Sequence, residues 1–127
     1  MRAPLLALLF ALSATASAQP AATPAGVPIV RVELSTFDFT PATIRLRAGQ
    51  PVILRLFNRG DRDHNFQAPL FFLQATNVSG PVRNGKVEVA GGQTIDVRLT
   101  PRRGTFRLKC GHTMHATMGM EGDIVVQ

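Results

Sequence analysis

The 127-residue chain predicts an all-β fold, an antiparallel sandwich or barrel in a single domain. Three observations carry that prediction. Short segments alternate apolar and polar side chains with the period of a half-buried strand. Turn sequences rich in Gly, Asn and Pro separate them at close intervals. No segment repeats its apolar residues with a helical period of any length, so helices are not expected to build the core.

Taken in order, residues 29–34 (Ile-Val-Arg-Val-Glu-Leu) and 43–47 (Thr-Ile-Arg-Leu-Arg) alternate and read as strands with one face in the core. Residues 52–57 are more continuously apolar, as a central strand would be. Alternation returns at 86–90, 94–99 and 105–110, and residues 123–126 close the chain. Turn chemistry lies between them at 48–51, 58–61, 84–85, 91–92 and 101–104. The stretch 69–81 has no clear period; Leu70-Phe71-Phe72-Leu73 within it reads as a short helical turn or an irregular crossing between sheets. On this layout His64 falls in the loop after the central strand. Cys110 ends the penultimate strand, and Met120 stands just before the last. There is no internal repeat and no second domain.

Residues 1–18 have the form of a secretory signal: Arg2, an apolar run over 5–12, then Ala16-Ser17-Ala18 as the small-x-small cleavage pattern. The run is too short to span a bilayer comfortably. The expectation is a cleaved leader, a periplasmic destination and no membrane span afterwards. Residues 19–28, mostly Ala, Pro, Thr and Gly, form a flexible lead-in to a folded domain over 29–127, expected to be monomeric. Asn77-Val78-Ser79 is a glycosylation-type triplet, which a bacterial-type leader makes an accidental match.

Charge and aromatic content exclude some classes. The 14 Lys+Arg against 8 Asp+Glu give a net charge of +6, but the arginines are scattered along alternating strands and Phe is the sole aromatic type. That pattern does not support nucleic-acid binding. It suits an acidic protein partner or simple solubility. Cys110 is the single cysteine and cannot form an internal disulfide. In an oxidising compartment such a thiol is buried, paired between chains or bound to metal.

Metal is the reading its neighbours favour. The run Lys109-Cys110-Gly111-His112-Thr113-Met114-His115-Ala116-Thr117-Met118-Gly119-Met120 gathers a thiol, two imidazoles and three thioethers in one loop. Thiolate, imidazole and thioether are the donors copper prefers. His64 is the only histidine outside that loop, and loops at one end of a sandwich bring remote residues together. Cys110 would bind as the soft, covalent donor, with His115 and His64 completing a His₂Cys plane and Met120 as weak axial ligand. His112 and Met118 are the alternates, and Met114 reads as loop packing or partner-facing surface.

The same loop resembles the ligand loop of the cupredoxins, the plastocyanin and azurin superfamily, in which Cys, His and Met follow one another. Cys110, His115 and Met120 match that order, as does Gly119-Met120-Glu121-Gly122 before an apolar strand. His64-Asn65-Phe66 is similar to the family's upstream ligand motif. Phe39-Thr40-Pro41 and the segment 44–49 resemble its earlier strands, so the likeness runs through almost the whole mature chain. The resemblance implies a Greek-key antiparallel sandwich and one copper ion alternating between Cu(I) and Cu(II). It departs from the common pattern at His112, an extra imidazole two residues after the thiol that is similar to a bacterial subgroup.

Function then follows as an expectation: a one-electron carrier between redox partner proteins. The alternative is a copper chaperone, buffer or resistance component working with copper-trafficking proteins. Enzymatic activity is not expected. The chain shows no nucleophile–base order and no phosphate loop, and its three histidines are too few for the copper clusters of an oxidase.

Overall fold

A computed structural model describes residues 26–112 and 119–127. The expectations placed on the leader, on most of the lead-in and on Met114, His115 and Met118 lie outside the described residues. The described chain forms β1 (Ile29–Ser35), β2 (Asp38–Thr40), β3 (Thr43–Leu46), β4 (Val52–Asn58), β5 (His64–Gln67), α1 (Pro69–Gln74), β6 (Thr76–Ser79), β7 (Lys86–Val89), β8 (Thr94–Thr100), β9 (Gly104–Lys109) and β10 (Glu121–Val126).

Alternation decides which face of each strand is buried. In β4, Val52, Leu54, Leu56 and Asn58 point inward while Ile53, Arg55 and Phe57 are half-buried. In β8, Val97 and Leu99 are buried and Asp96 and Arg98 face out. The strands form two five-stranded sheets, ordered β2-β1-β4-β8-β6 and β3-β10-β9-β5-β7. Segment 52–57 is therefore central, as its continuous apolarity suggests. Each large aliphatic side chain sealed between the sheets stabilises the fold by about 1.5–3 kcal/mol.

The sandwich is the fold that the alternation predicts. Most pairings are antiparallel, with two parallel joins: β1 lies beside β4, and β3 beside β10. Both join segments far apart in the chain, which local patterning does not register.

Phenylalanines fill the middle of the core. Edge-to-face pairs run Phe39–Phe66, Phe66–Phe72, Phe72–Phe71 and Phe71–Phe106, with ring centroids 5.3 to 6.0 Å apart. Segment 69–81 resolves into the short helix and strand β6. Pro69 occupies the first helical turn, where its missing N–H costs nothing. The helix puts Phe71 and Phe72 into the core and leaves Leu70 and Leu73 outside.

Candidate metal centre

Three chain segments meet at one end of the sandwich. β9 ends at Lys109, so Cys110 follows the last paired residue and is fully buried. Met120, also fully buried, precedes β10. Between them the Cys110 N–H donates to the Met120 carbonyl at 3.1 Å, closing the base of the loop. Gly119 takes φ +93°, a conformation that side chains disfavour, and the Glu121 N–H turns back to its carbonyl at 2.8 Å.

His64 is the third element, and here the layout differs from expectation. It does not sit on a loop but opens β5, where it pairs with Val89 and is 3% exposed. Residues 64–66 are all buried, so β5 lacks the polar–apolar alternation that marks a strand by pattern. Its Nδ1 lies 3.9 Å from Cys110 Sγ. A surface cavity of about 420 Å³ reaches His64 past Phe37, Asp61 and Arg62.

Asn65 ties these pieces together. Its backbone N–H points to Cys110 Sγ at 3.5 Å, the geometry of a weak hydrogen bond to sulfur. Strands β5 and β9 pair only at Gln67 and Lys109, and beyond that register the Asn65 side chain bridges them. Its Oδ1 accepts the Gly111 N–H at 2.6 Å, and its Nδ2 donates to Glu88 Oε1 at 3.1 Å. Glu88 Oε2 in turn lies 3.0 Å from His112 Nε2. Desolvation pushes the Glu88 carboxyl up. The hydrogen bonds from Asn65 and His112, with the charges of His112 and Lys86, outweigh it and hold the group below its ordinary range.

A further residue shapes the approach to His64. Asn58, completely buried, donates through Nδ2 to the Arg62 carbonyl at 2.7 Å and the Val89 carbonyl at 2.9 Å, and accepts the Gly60 N–H at 3.0 Å. It ties the turn before β5 to the end of β7. Gly91 allows the same turn to close, because a Cβ there would stand 2.6 Å from the Asp61 carbonyl oxygen. Sequence reasoning passed over Asn58 and Glu88; the first reads as ordinary turn chemistry and the second as a solvated strand residue. The buried inward phase of Asn58 in β4 is the signal that could have found it.

Of the expected donors, the structure brings His64 and Cys110 within contact and joins Cys110 to Met120 through the backbone. It places His112 on Glu88, and His115 and Met118 lie outside the described residues. Among the described residues, no three or more His, Cys, Asp and Glu side chains form a group able to hold a metal ion. The donors present fit copper by their chemistry: a buried thiol with an N–H aimed at its sulfur, a buried imidazole beside it and a buried thioether.

Comparison with known proteins matches the Cupredoxin-like domain family over residues 3–126. No curated protein matches the chain. Among solved structures, a dithionite-reduced auracyanin from the photosynthetic bacterium Roseiflexus castenholzii superposes with a TM-score of 0.61 at 17% identity, covering 81% of this chain and 98% of its own. Auracyanin A, a "blue" copper protein from Chloroflexus aurantiacus, gives 0.55 at 20% identity over 78% of this chain and 99% of its own. The McoA multicopper oxidase of Aquifex aeolicus gives 0.61 at 19% identity over 86% of this chain, but only 31% of the oxidase is covered. At these identities the likeness is one of fold.

Proposed function

The chain belongs to the cupredoxin-like domain family, and on that premise we propose that it is an exported mononuclear copper protein carrying single electrons between redox partners. The observation that carries this reading is the buried contact between Cys110 Sγ and His64 Nδ1, with the Asn65 N–H directed at the same sulfur. His64, Cys110 and His115 would hold the metal, with Met120 as axial donor. Copper, when bound, supplies a one-electron Cu(I)/Cu(II) couple.

The protein's part is to fix those donors and keep water away. Cys110 and Met120 are fully buried, and His64 is anchored in a paired strand. Asn65 and Glu88 limit how far the 110–112 segment can move. Donors held this rigidly suit two oxidation states with little rearrangement. Exposed Arg62, Arg83 and Lys109 toward the donor end suit an acidic partner there, and the signal-like residues 1–18 support a periplasmic location.

Adding Cu(II) to the purified protein and recording the visible spectrum tests the reading. An intense thiolate-to-copper band is expected, lost in Cys110→Ser. A colourless protein that takes up only Cu(I) would overturn electron transfer and favour copper storage or delivery, for which Met114, Met118 and His112 would be the added donors. Separate His112→Ala and His115→Ala variants identify the imidazole that carries the band; His115 is the expected one.

A further inference from the structure

The end of the sandwich opposite His64 and Cys110 carries five arginines with no Asp or Glu side chain among them. β1, β4 and β9 begin there, and β3, β8 and β10 end there. Three adjoining depressions mark it. One of about 280 Å³ is lined by Arg45 and Arg47. Another of about 170 Å³ is lined by Arg98, and a third of about 380 Å³ by Arg102 and Arg103. Thr100 is shared by the last two, and no acidic side chain lines any of the three. The Gly49 N–H donates to the Pro101 carbonyl at 2.9 Å, which staples the turn after Arg47 to the turn bearing Arg102 and Arg103.

All five arginines are exposed, and none joins an ion pair among the described residues. The acids lie elsewhere. Asp61, Asp63, Glu88 and Glu121 stand toward the donor end, and Asp96 is held by Arg55 at 2.9 Å. Exposed aliphatic side chains border the basic face: Ile29 at 47% beside Pro28, and Leu73 at 79% beside Gln74.

We propose that this arginine pole is an adsorption surface for anionic lipid headgroups, on which the domain rests with its donor end directed away from the bilayer. Guanidinium forks match phosphate oxygens in pairs, and their weak hydration suits an interface. Bordering aliphatics can enter the headgroup boundary while the arginines hold the charge. At physiological salt the screening length is about 8 Å, so Arg47, Arg102 and Arg103 on the stapled turns act together on a surface in contact with them, while Arg45 and Arg98 extend the charge around the two flanks. An acidic redox protein is the competing occupant. β4 alone, seven residues at about 3.3 Å each, puts about 20 Å between this pole and the donors, so such a partner gains nothing by docking here.

The inference is independent of bound metal, so the metal-free protein serves for the test. Co-sedimentation with phosphatidylcholine vesicles, with and without phosphatidylglycerol, measures it at low and high salt. Binding is expected only with phosphatidylglycerol and is released by salt. The triple variant Arg47→Glu, Arg102→Glu, Arg103→Glu should weaken binding by about a hundred-fold. A triple with the same charge change at the donor end, Arg62→Glu, Arg83→Glu, Lys109→Glu, should retain most of it, with circular dichroism confirming that both fold. Equal loss in the two triples would show that net charge alone acts and would overturn the proposal. So would equal binding to vesicles lacking phosphatidylglycerol, or stronger retention by soluble polyglutamate than by vesicles.

Discussion

Asn65 serves three tasks with one residue: an N–H for the Cys110 sulfur, an acceptor for Gly111 and a donor for Glu88. Replacing it by Ala removes the side-chain bridge where β5 and β9 have stopped pairing, leaving the Gly111 N–H without that acceptor. Asn65→Ala should cost about 1–3 kcal/mol in denaturant unfolding. In the copper-loaded protein its thiolate band should shift and its redox potential change, although the band itself should survive, unlike that of Cys110→Ser. Cys110 and His64 were legible because both residue types are rare in this chain and carry the chemistry themselves. Asn58 and Glu88 act through geometry that closes only in the fold, and a buried asparagine is spelled like one in any turn. His112 reads as a spare ligand by its spacing from Cys110, and what the spacing does not show is that its Nε2 lies 3.0 Å from Glu88 Oε2 in β7.

Among the elements, those found from sequence are those with one wet face, where side-chain alternation records burial. The ones missed lack that contrast. β5 is buried over 64–66, β6 is exposed throughout, and β2 has three residues. α1, at six residues, is too short to show a helical period, which is why 70–73 reads equally as a short helical turn, the form it takes, or an irregular crossing. Connections between elements rest on close backbone approaches that can be tested singly. In Gly122→Ala the new Cβ would collide with the Ala42 carbonyl oxygen, so β10 should be pushed from the start of β3 and the melting temperature should fall. Gly91→Ala should act on the site instead, moving the 60–63 turn that leads to His64 and weakening copper retention more than overall stability.

The β4–β8 pairing has a pH signature. A paired hydrogen bond from Arg55 holds the Asp96 carboxyl below its ordinary value, against a small desolvation effect. The folded-state pKa is therefore lower than the unfolded one. The stabilisation is present above about pH 4, the unfolded value, and is lost as pH falls through the folded value. Melting curves of the native chain and Arg55→Gln should differ slightly at neutral pH and converge in acid.

At the scale of the molecule, Phe66 contacts Phe39 and Phe72 from beside the donor end, so core packing and site share one aromatic cluster. Phe66→Ala should cost about 3–5 kcal/mol and release bound copper along with the fold, in one calorimetric transition. The parallel join of β3 and β10 has a consequence for biogenesis. The final strand inserts between β3 and β9, and it alone bridges those two strands. While the chain is still emerging, β3 waits for a neighbour some 80 positions later, a slow, non-local step. Met120 arrives with that same strand. A nascent or clipped chain thus presents its Cys110 thiol before Met120 is in place, and on the proposed ligand set the site would be the last part of the molecule to close.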